Sequence, residues 1–226
     1  MLPVQADSVA SKSFRILVHN FDDRLTRHLP FYDYFPCAIL HAMNFQQTHF
    51  VGVLVPADIE AILEDCRRHM HQRYGCRSGH GTPVHVTLVP PFLLPGSLST
   101  RSLVQAIQSA IHRQELPPPF TATVAGFDAF GDRTIFAKVE PDERWSQLRD
   151  SVLVQVLALV PGCIRRDRRP FRPHLTVANR DIPAGASTEA LEVLSGMGLH
   201  DSFPVDNITI FEWRGRQWID VVTLEL

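Results

Sequence analysis

From about Thr48 the apolar residues fall alternately into short β-branched runs and longer stretches at helical spacing, and each change of period predicts a change of element. Residues 49–55 read as a strand, and residues 57–74 as a helix carrying Ile59, Ile62, Leu63, Cys66 and Met70 at helical spacing. Pro56 suits the first turn of that helix and Gly75 its end. A glycine-rich loop then leads into a second strand around His85. Residues 99–112 read as a helix capped by Ser99 or Thr100, with Leu103, Ile107, Ala110 and Ile111 on one face. After a triple proline come two β-rich runs, 120–127 and 134–139, turning at Gly131-Asp132. Pro141 opens a helix to about Leu159, an arginine-rich loop leads to a strand around His174, and residues 187–194 form a short helix. A hairpin around Gly215 closes the chain. Residues before 48 show no such period; two prolines and four aromatics from Leu29 to Pro36 fit an extended segment packed on a surface.

The order strand, proline, helix, loop, strand occurs twice. Pro56 stands 29 residues before His85 and Pro141 stands 33 before His174. A repeated unit of this kind predicts an α+β fold of duplicated β-α-β lobes, with mainly antiparallel sheets related by a pseudo-twofold axis. Residues 48–226 are expected to form that domain, with interleaved lobes over roughly 48–130 and 131–226. Residues 1–47 are an extension to which the pattern assigns no role.

The repeat brings out two matching runs, Pro83-Val84-His85-Val86-Thr87-Leu88-Val89-Pro90 and Arg172-Pro173-His174-Leu175-Thr176-Val177-Ala178. In a strand, side chains two apart share a face, so each run aims an imidazole and a hydroxyl the same way and turns Val86 or Leu175 into the core. A His two before a Ser or Thr also occurs at His80-Gly81-Thr82 and His200-Asp201-Ser202, but neighbouring glycines make those read as loops. An axis between the two strands would gather His85, Thr87, His174 and Thr176 in one cleft. Four polar groups so placed imply a ligand, because unpaired buried polar groups are costly.

Composition narrows the classes. With 226 residues, 45% hydrophobic and 20% charged, the chain has ample material for a core. A net charge of −2 argues against a protein that coats nucleic acid by bulk electrostatics, while leaving room for a local phosphate site. No apolar run is long enough to span a membrane, and no basic region followed by an apolar core opens the chain. The four cysteines show neither paired spacing nor a zinc pattern, which fits reduced thiols in a cytoplasmic protein. No His, Cys or carboxylate cluster suggests a metal, and no phosphate-loop pattern suggests a nucleotide cofactor. A monomer is expected.

The two motifs, as Val84-His85-Val86-Thr87-Leu88 and Pro173-His174-Leu175-Thr176-Val177, resemble those of the two-histidine (2H) phosphoesterase superfamily, in its 2′-5′ RNA ligase-like branch. Pro91-Phe92 after the first motif and Phe171-Arg172-Pro173 before the second resemble family flanks; Asn179 departs, since many members carry Arg directly after the Ala. The resemblance implies metal-independent opening of 2′,3′-cyclic phosphates at RNA ends or on small nucleotides, and a 2′-5′ RNA ligase activity is compatible with it. It implies His174 as general base, His85 as general acid, and Thr87 and Thr176 on the phosphate oxygens. Phe92 and Phe171 are candidates to line the pocket and stack on a base, with core packing the competing reading. A nucleotide- or RNA-end-binding module without turnover, and an enzyme for a non-RNA substrate such as an ADP-ribose cyclic phosphate, are the alternatives.

Overall fold

The computed structural model describes residues 47–79, 81–164 and 169–226. In chain order these form β1 (His49–Leu54), α1 (Ala57–Tyr74), β2 (His85–Phe92), α2 (Thr100–His112), β3 (Phe120–Phe130), β4 (Thr134–Val139), α3 (Glu143–Leu159), β5 (His174–Asn179), α4 (Ser187–Ser195), β6 (His200–Val205), β7 (Asn207–Trp213) and β8 (Trp218–Glu225). The extended segment expected before Pro36, His80 and residues 165–168 of the arginine-rich loop lie outside the described residues.

The eight strands make one sheet in the order β6-β3-β4-β5-β2-β1-β7-β8, every pairing antiparallel. The order is symmetric about the β5–β2 junction. Each half runs outward from a histidine strand to the strand preceding its helix, then to two further strands. The two sheets expected are therefore two halves of one, joined where Val86 pairs with Leu175. The halves interleave, since β7 and β8 at the end of the chain complete the half begun by β1 and β2.

Each helix packs across the junction: α1 lies on β5 and α3 on β2. Their apolar stripes meet there, Ile59, Leu63, Cys66 and Met70 from α1 and Trp145, Leu148, Val152 and Val156 from α3, all fully buried with Val86, Val177 and Leu175. Burying each large aliphatic side chain contributes about 1.5–3 kcal/mol, so the cross-packing holds the halves together. Local chemistry sets the ends. Gly75, at φ 73°, closes α1 by donating its N–H to the His71 carbonyl at 2.9 Å. Asp142 caps α3, its carboxylate accepting the Arg144 N–H at 2.8 Å, one residue past the proline expected to open that helix. His200, expected in a loop, instead opens β6: the glycines after α4 turn the chain straight into a strand that pairs with β3.

Candidate active site

His85 and His174 are the first residues of β2 and β5, the two central strands. In both, burial alternates from the histidine, with Val86, Leu88, Leu175 and Val177 in the core and the His and Thr side chains partly exposed on the other face. The antiparallel pairing of Val86 with Leu175 sets His85 across from Thr176 and Thr87 across from His174. The four polar side chains thus share one face around the junction. Among the described residues neither threonine hydroxyl has a protein hydrogen-bond partner.

The imidazoles are held alike. His85 Nδ1 lies 2.7 Å from the Pro83 carbonyl oxygen, and His174 Nδ1 lies 2.8 Å from that of Arg172. A carbonyl only accepts, so each Nδ1 carries the hydrogen and each Nε2 is left with its lone pair. Each ring also rests on two phenylalanines. Phe50 and Phe211 lie 4.7 and 5.0 Å from His85, ring centre to ring centre, and Phe130 and Phe136 each lie 5.1 Å from His174.

The surroundings differ. On the His85 side a cavity of about 230 Å³ is lined by His85, Thr87 and Thr176, with Phe50, Pro91 and Trp218 as apolar wall and Ser78 and Asn179 beyond. Beneath it is Arg67 of α1, 3% exposed. Its guanidinium donates to the carbonyls of Thr176 at 3.1 Å and Thr82 at 2.7 Å and to the Glu64 carboxylate at 2.6 Å, tying α1, the loop before β2 and β5 together. Asp181 fastens the same loop by accepting from Arg77 N–H, Ser78 N–H and the Ser78 hydroxyl.

These surroundings displace the titrations. Burial is the main cause that pushes His85 down to about 4, and the charges of Arg67 and His174 add to it against the Pro83 hydrogen bond. His174 is also lowered, by burial first and by the Arg172 charge, with the Arg172 carbonyl opposing. So lowered, the His85 ring is neutral at pH 7 in the free protein.

Neither Phe92 nor Phe171, the candidates to stack on a base, is among the residues that line this cavity. Phe92 is 1% exposed and packs in the core beside His49, while Pro91 lines the cavity instead. Phe171 packs against the core, with the Arg149 guanidinium 5.2 Å from its ring centre. In β2 the register against β1 slips twice between Thr87 and Phe92, leaving Leu88 and Val89 both buried and Phe92 turned inward. Asn179, at the departure from the family pattern, lines the cavity, whereas Arg180 is exposed at φ 72°. Arg67 was missed, although a charged residue within the apolar stripe of Leu63, Cys66 and Met70 was its signal.

A model of the 2′-5′ RNA ligase superfamily matches residues 55–217. The chain belongs to that superfamily, the two-histidine phosphoesterases that its motifs resemble. No curated protein matches it. Among solved structures, that of TT0787 of Thermus thermophilus is 21% identical, with a TM-score of 0.55 over 79% of this chain and 97% of that one. Escherichia coli LigT complexed with 3′-AMP is 20% identical, with a TM-score of 0.54 over 80% and 98%, and a phosphoesterase structure is 18% identical, with 0.53 over 80% and 99%. At such identity the likeness is one of fold. Among the described residues no three His, Cys, Asp or Glu side chains converge as a metal-ligand set, and no helix is long and apolar enough to cross a membrane.

Proposed function

We propose that this protein opens 2′,3′-cyclic phosphates, at RNA ends or on nucleotides, to 2′-phosphomonoesters without a metal ion. The observation that carries this reading is the pair of imidazoles on one face of the central strands, each with Nδ1 occupied and Nε2 available, beside two uncommitted threonine hydroxyls. A water attacks phosphorus and gives its proton to His174 Nε2; the bond from phosphorus to the 3′ oxygen breaks, and that oxygen takes a proton from His85 Nε2. Thr87 and Thr176 donate to the non-bridging oxygens as charge builds on them. At a pKa of about 4 His85 Nε2 carries no proton at pH 7 in the free protein, so the bound phosphodiester anion must favour its protonation. A negative charge a few ångströms from the ring favours the imidazolium and offsets desolvation and the Arg67 charge. That E. coli LigT takes 3′-AMP supports a nucleotide-sized ligand for this fold.

The test is incubation with a nucleoside 2′,3′-cyclic phosphate and with cyclic-phosphate-ended RNA in excess EDTA, the products being separated by chromatography. A 2′-phosphate is expected. A 3′-phosphate would reverse the direction of opening, and absence of turnover on both would leave a binding module. Turnover of an ADP-ribose cyclic phosphate alone would remove RNA from the substrate class.

A further inference from the structure

Beyond His174, on the opposite side of the junction from the Arg67 cavity, the sheet opens a second cavity of about 250 Å³ that the chemistry above does not use. Its walls include Phe136, Lys138, Glu140, Arg172 and Pro173, with Ala125 at its base. Two features of the sequence make the space. Val124 pairs with Val139 and Phe127 with Ala137, so Ala125 and Gly126 together face the single residue Lys138 in a β-bulge. Gly126 takes φ 68° there, and the nearest atom to a Cβ built on it would be Lys138 Cε at 3.7 Å. A bulge built from the two smallest residues leaves room beside the lysine.

Lys138 is paired directly with His174, so its side chain shares the catalytic face. It is exposed, and it forms no ion pair among the described residues. Arg172 reaches the same cavity with its guanidinium 5.1 Å from the Phe130 ring centre and 5.9 Å from that of Phe136. It gives one N–H to Asp128 at 3.1 Å in a surface pair, leaving other donors of its fork free. Glu140, just past the end of β4, also lines the cavity. The position that matches Lys138 in the other half is Leu54, paired with His85, so the cation is on one side only.

We propose that Lys138 and Arg172 bind the 5′-phosphodiester of the nucleotide whose cyclic phosphate is opened. The substrate is then the 3′ end of an RNA chain, with the terminal base toward Trp218 and Pro91 and the preceding chain leaving over Lys138. This rests on the proposed cyclic-phosphate reading. Paired strand residues stand about 5 Å apart, and the end of the Lys138 side chain lies over Gly126, on the side of β4 away from His174, so its ammonium is placed for a phosphate one sugar away from the reacting phosphorus rather than for the reacting phosphate itself. Arg172 supplies the planar donors that suit a phosphate.

The test compares a nucleoside 2′,3′-cyclic phosphate, the same compound bearing a 5′-phosphate, and a dinucleotide ending in the cyclic phosphate. The 5′-phosphate should raise kcat/KM about threefold to fivefold, the worth of one exposed charged contact. It should also steepen the fall of log affinity with log salt by about 0.7. Lys138→Ala should remove both gains and Lys138→Arg should keep them. Equal kcat/KM for the first two compounds, or a Lys138→Ala loss identical for both, overturns the proposal while leaving cyclic-phosphate hydrolysis intact. Should none of the three turn over, the hydrolytic reading fails, and equilibrium binding of the 2′-phosphate product with and without a 5′-phosphate decides the subsite on its own by the same difference in salt slope.

Discussion

Gly52 on β1 and Phe136 on β4 occupy matching places in their halves, across from Thr87 and Thr176, and Leu54 and Lys138 match in the same way across from His85 and His174. The backbone repeats; the side chains beside it do not. On the His85 side Gly52 has no room for a side chain, Leu54 is apolar, and the cation beneath the cavity, Arg67, is buried and spent on carbonyls. On the His174 side the neighbours are a phenylalanine, a free lysine and a half-committed arginine. Duplication has supplied two equivalent imidazoles, and substitution around them has made one half tight and the other open and cationic. A cyclic phosphate has two unlike ends, and an asymmetric cleft can tell them apart.

The largest expected effect tests whether the histidines differ in role as their surroundings do. His85→Ala and His174→Ala should each lower kcat on a cyclic nucleotide by about 10²–10⁴, the usual worth of a general acid or base. With bis(p-nitrophenyl) phosphate, whose leaving group departs without a proton, His85→Ala should recover most of its loss and His174→Ala none. The reverse pattern would exchange the acid and the base. Equal rescue of both would mean that the tight and open halves do not divide the work.

Arg67 is what makes the His85 half tight. Replacing it by Met keeps the stem and removes a buried cation, leaving Glu64 and the carbonyls of Thr82 and Thr176 without their donor. Breaking one partner out of a buried charged network costs about 3–5 kcal/mol, and the loss should appear as a lower urea midpoint with an unchanged slope. An unchanged midpoint would show that the two halves do not depend on that guanidinium.

How far the sequence exposed this site depends on the range of the interactions. Period-two alternation is local, so the shared face of His85 and Thr87 and of His174 and Thr176 was readable, as was the inward turn of Val86 and Leu175. That rule does not carry on to Phe92, because two slips of register against β1 interrupt the alternation after Thr87. Register across strands is not local. Nothing near Lys138 in the chain says that it stands opposite His174, and nothing near Phe211 says that it supports His85. Those follow from pairings between residues far apart in sequence, fixed by core packing rather than by any short pattern. Arg67 lies between the two cases: its place in an apolar stripe was visible, its partners were not.

Gly52 gives a smaller effect with a sharper location. Its φ is ordinary, so the matter is space: a Cβ there would lie 2.8 Å from the Val86 carbonyl oxygen, which is backbone and cannot swing aside, and 3.3 Å from His85 Cδ2. Gly52→Ala should cost about 2–3 kcal/mol, toward the upper part of the range for over-packing, and should lower kcat more than it raises KM, because the ring it pushes is the proposed acid. The matching test in the other half is Phe136→Leu, which removes ring contact from His174 and crowds nothing. An alanine at 52 that left both stability and kcat unchanged would mean that the His85 half is looser than its contacts indicate.

The smallest effect is in the pH dependence of stability, and it separates the halves without any substrate. His85 titrates near 4 in the folded protein against an ordinary value of 6.5. Between those values the unfolded chain binds the proton and the folded one does not, so stability from this group is complete above pH 6.5 and drains away as pH falls toward 4. Between pH 7 and pH 5 the loss should be about 1–2 kcal/mol, since each unit of difference in pKa is worth about 1.4 kcal/mol. His174 is lowered as well, so its share has the same sign. The measurement is urea unfolding at pH 7 and pH 5 for the wild type, His85→Phe and His174→Phe. His85→Phe should flatten the change more than His174→Phe does, because the Arg67 charge and the deeper burial act on His85. Equal flattening would show that the electrostatic difference between the two halves does not reach their histidines, and the orientation of the substrate would then have to rest on Lys138 and Arg172 alone.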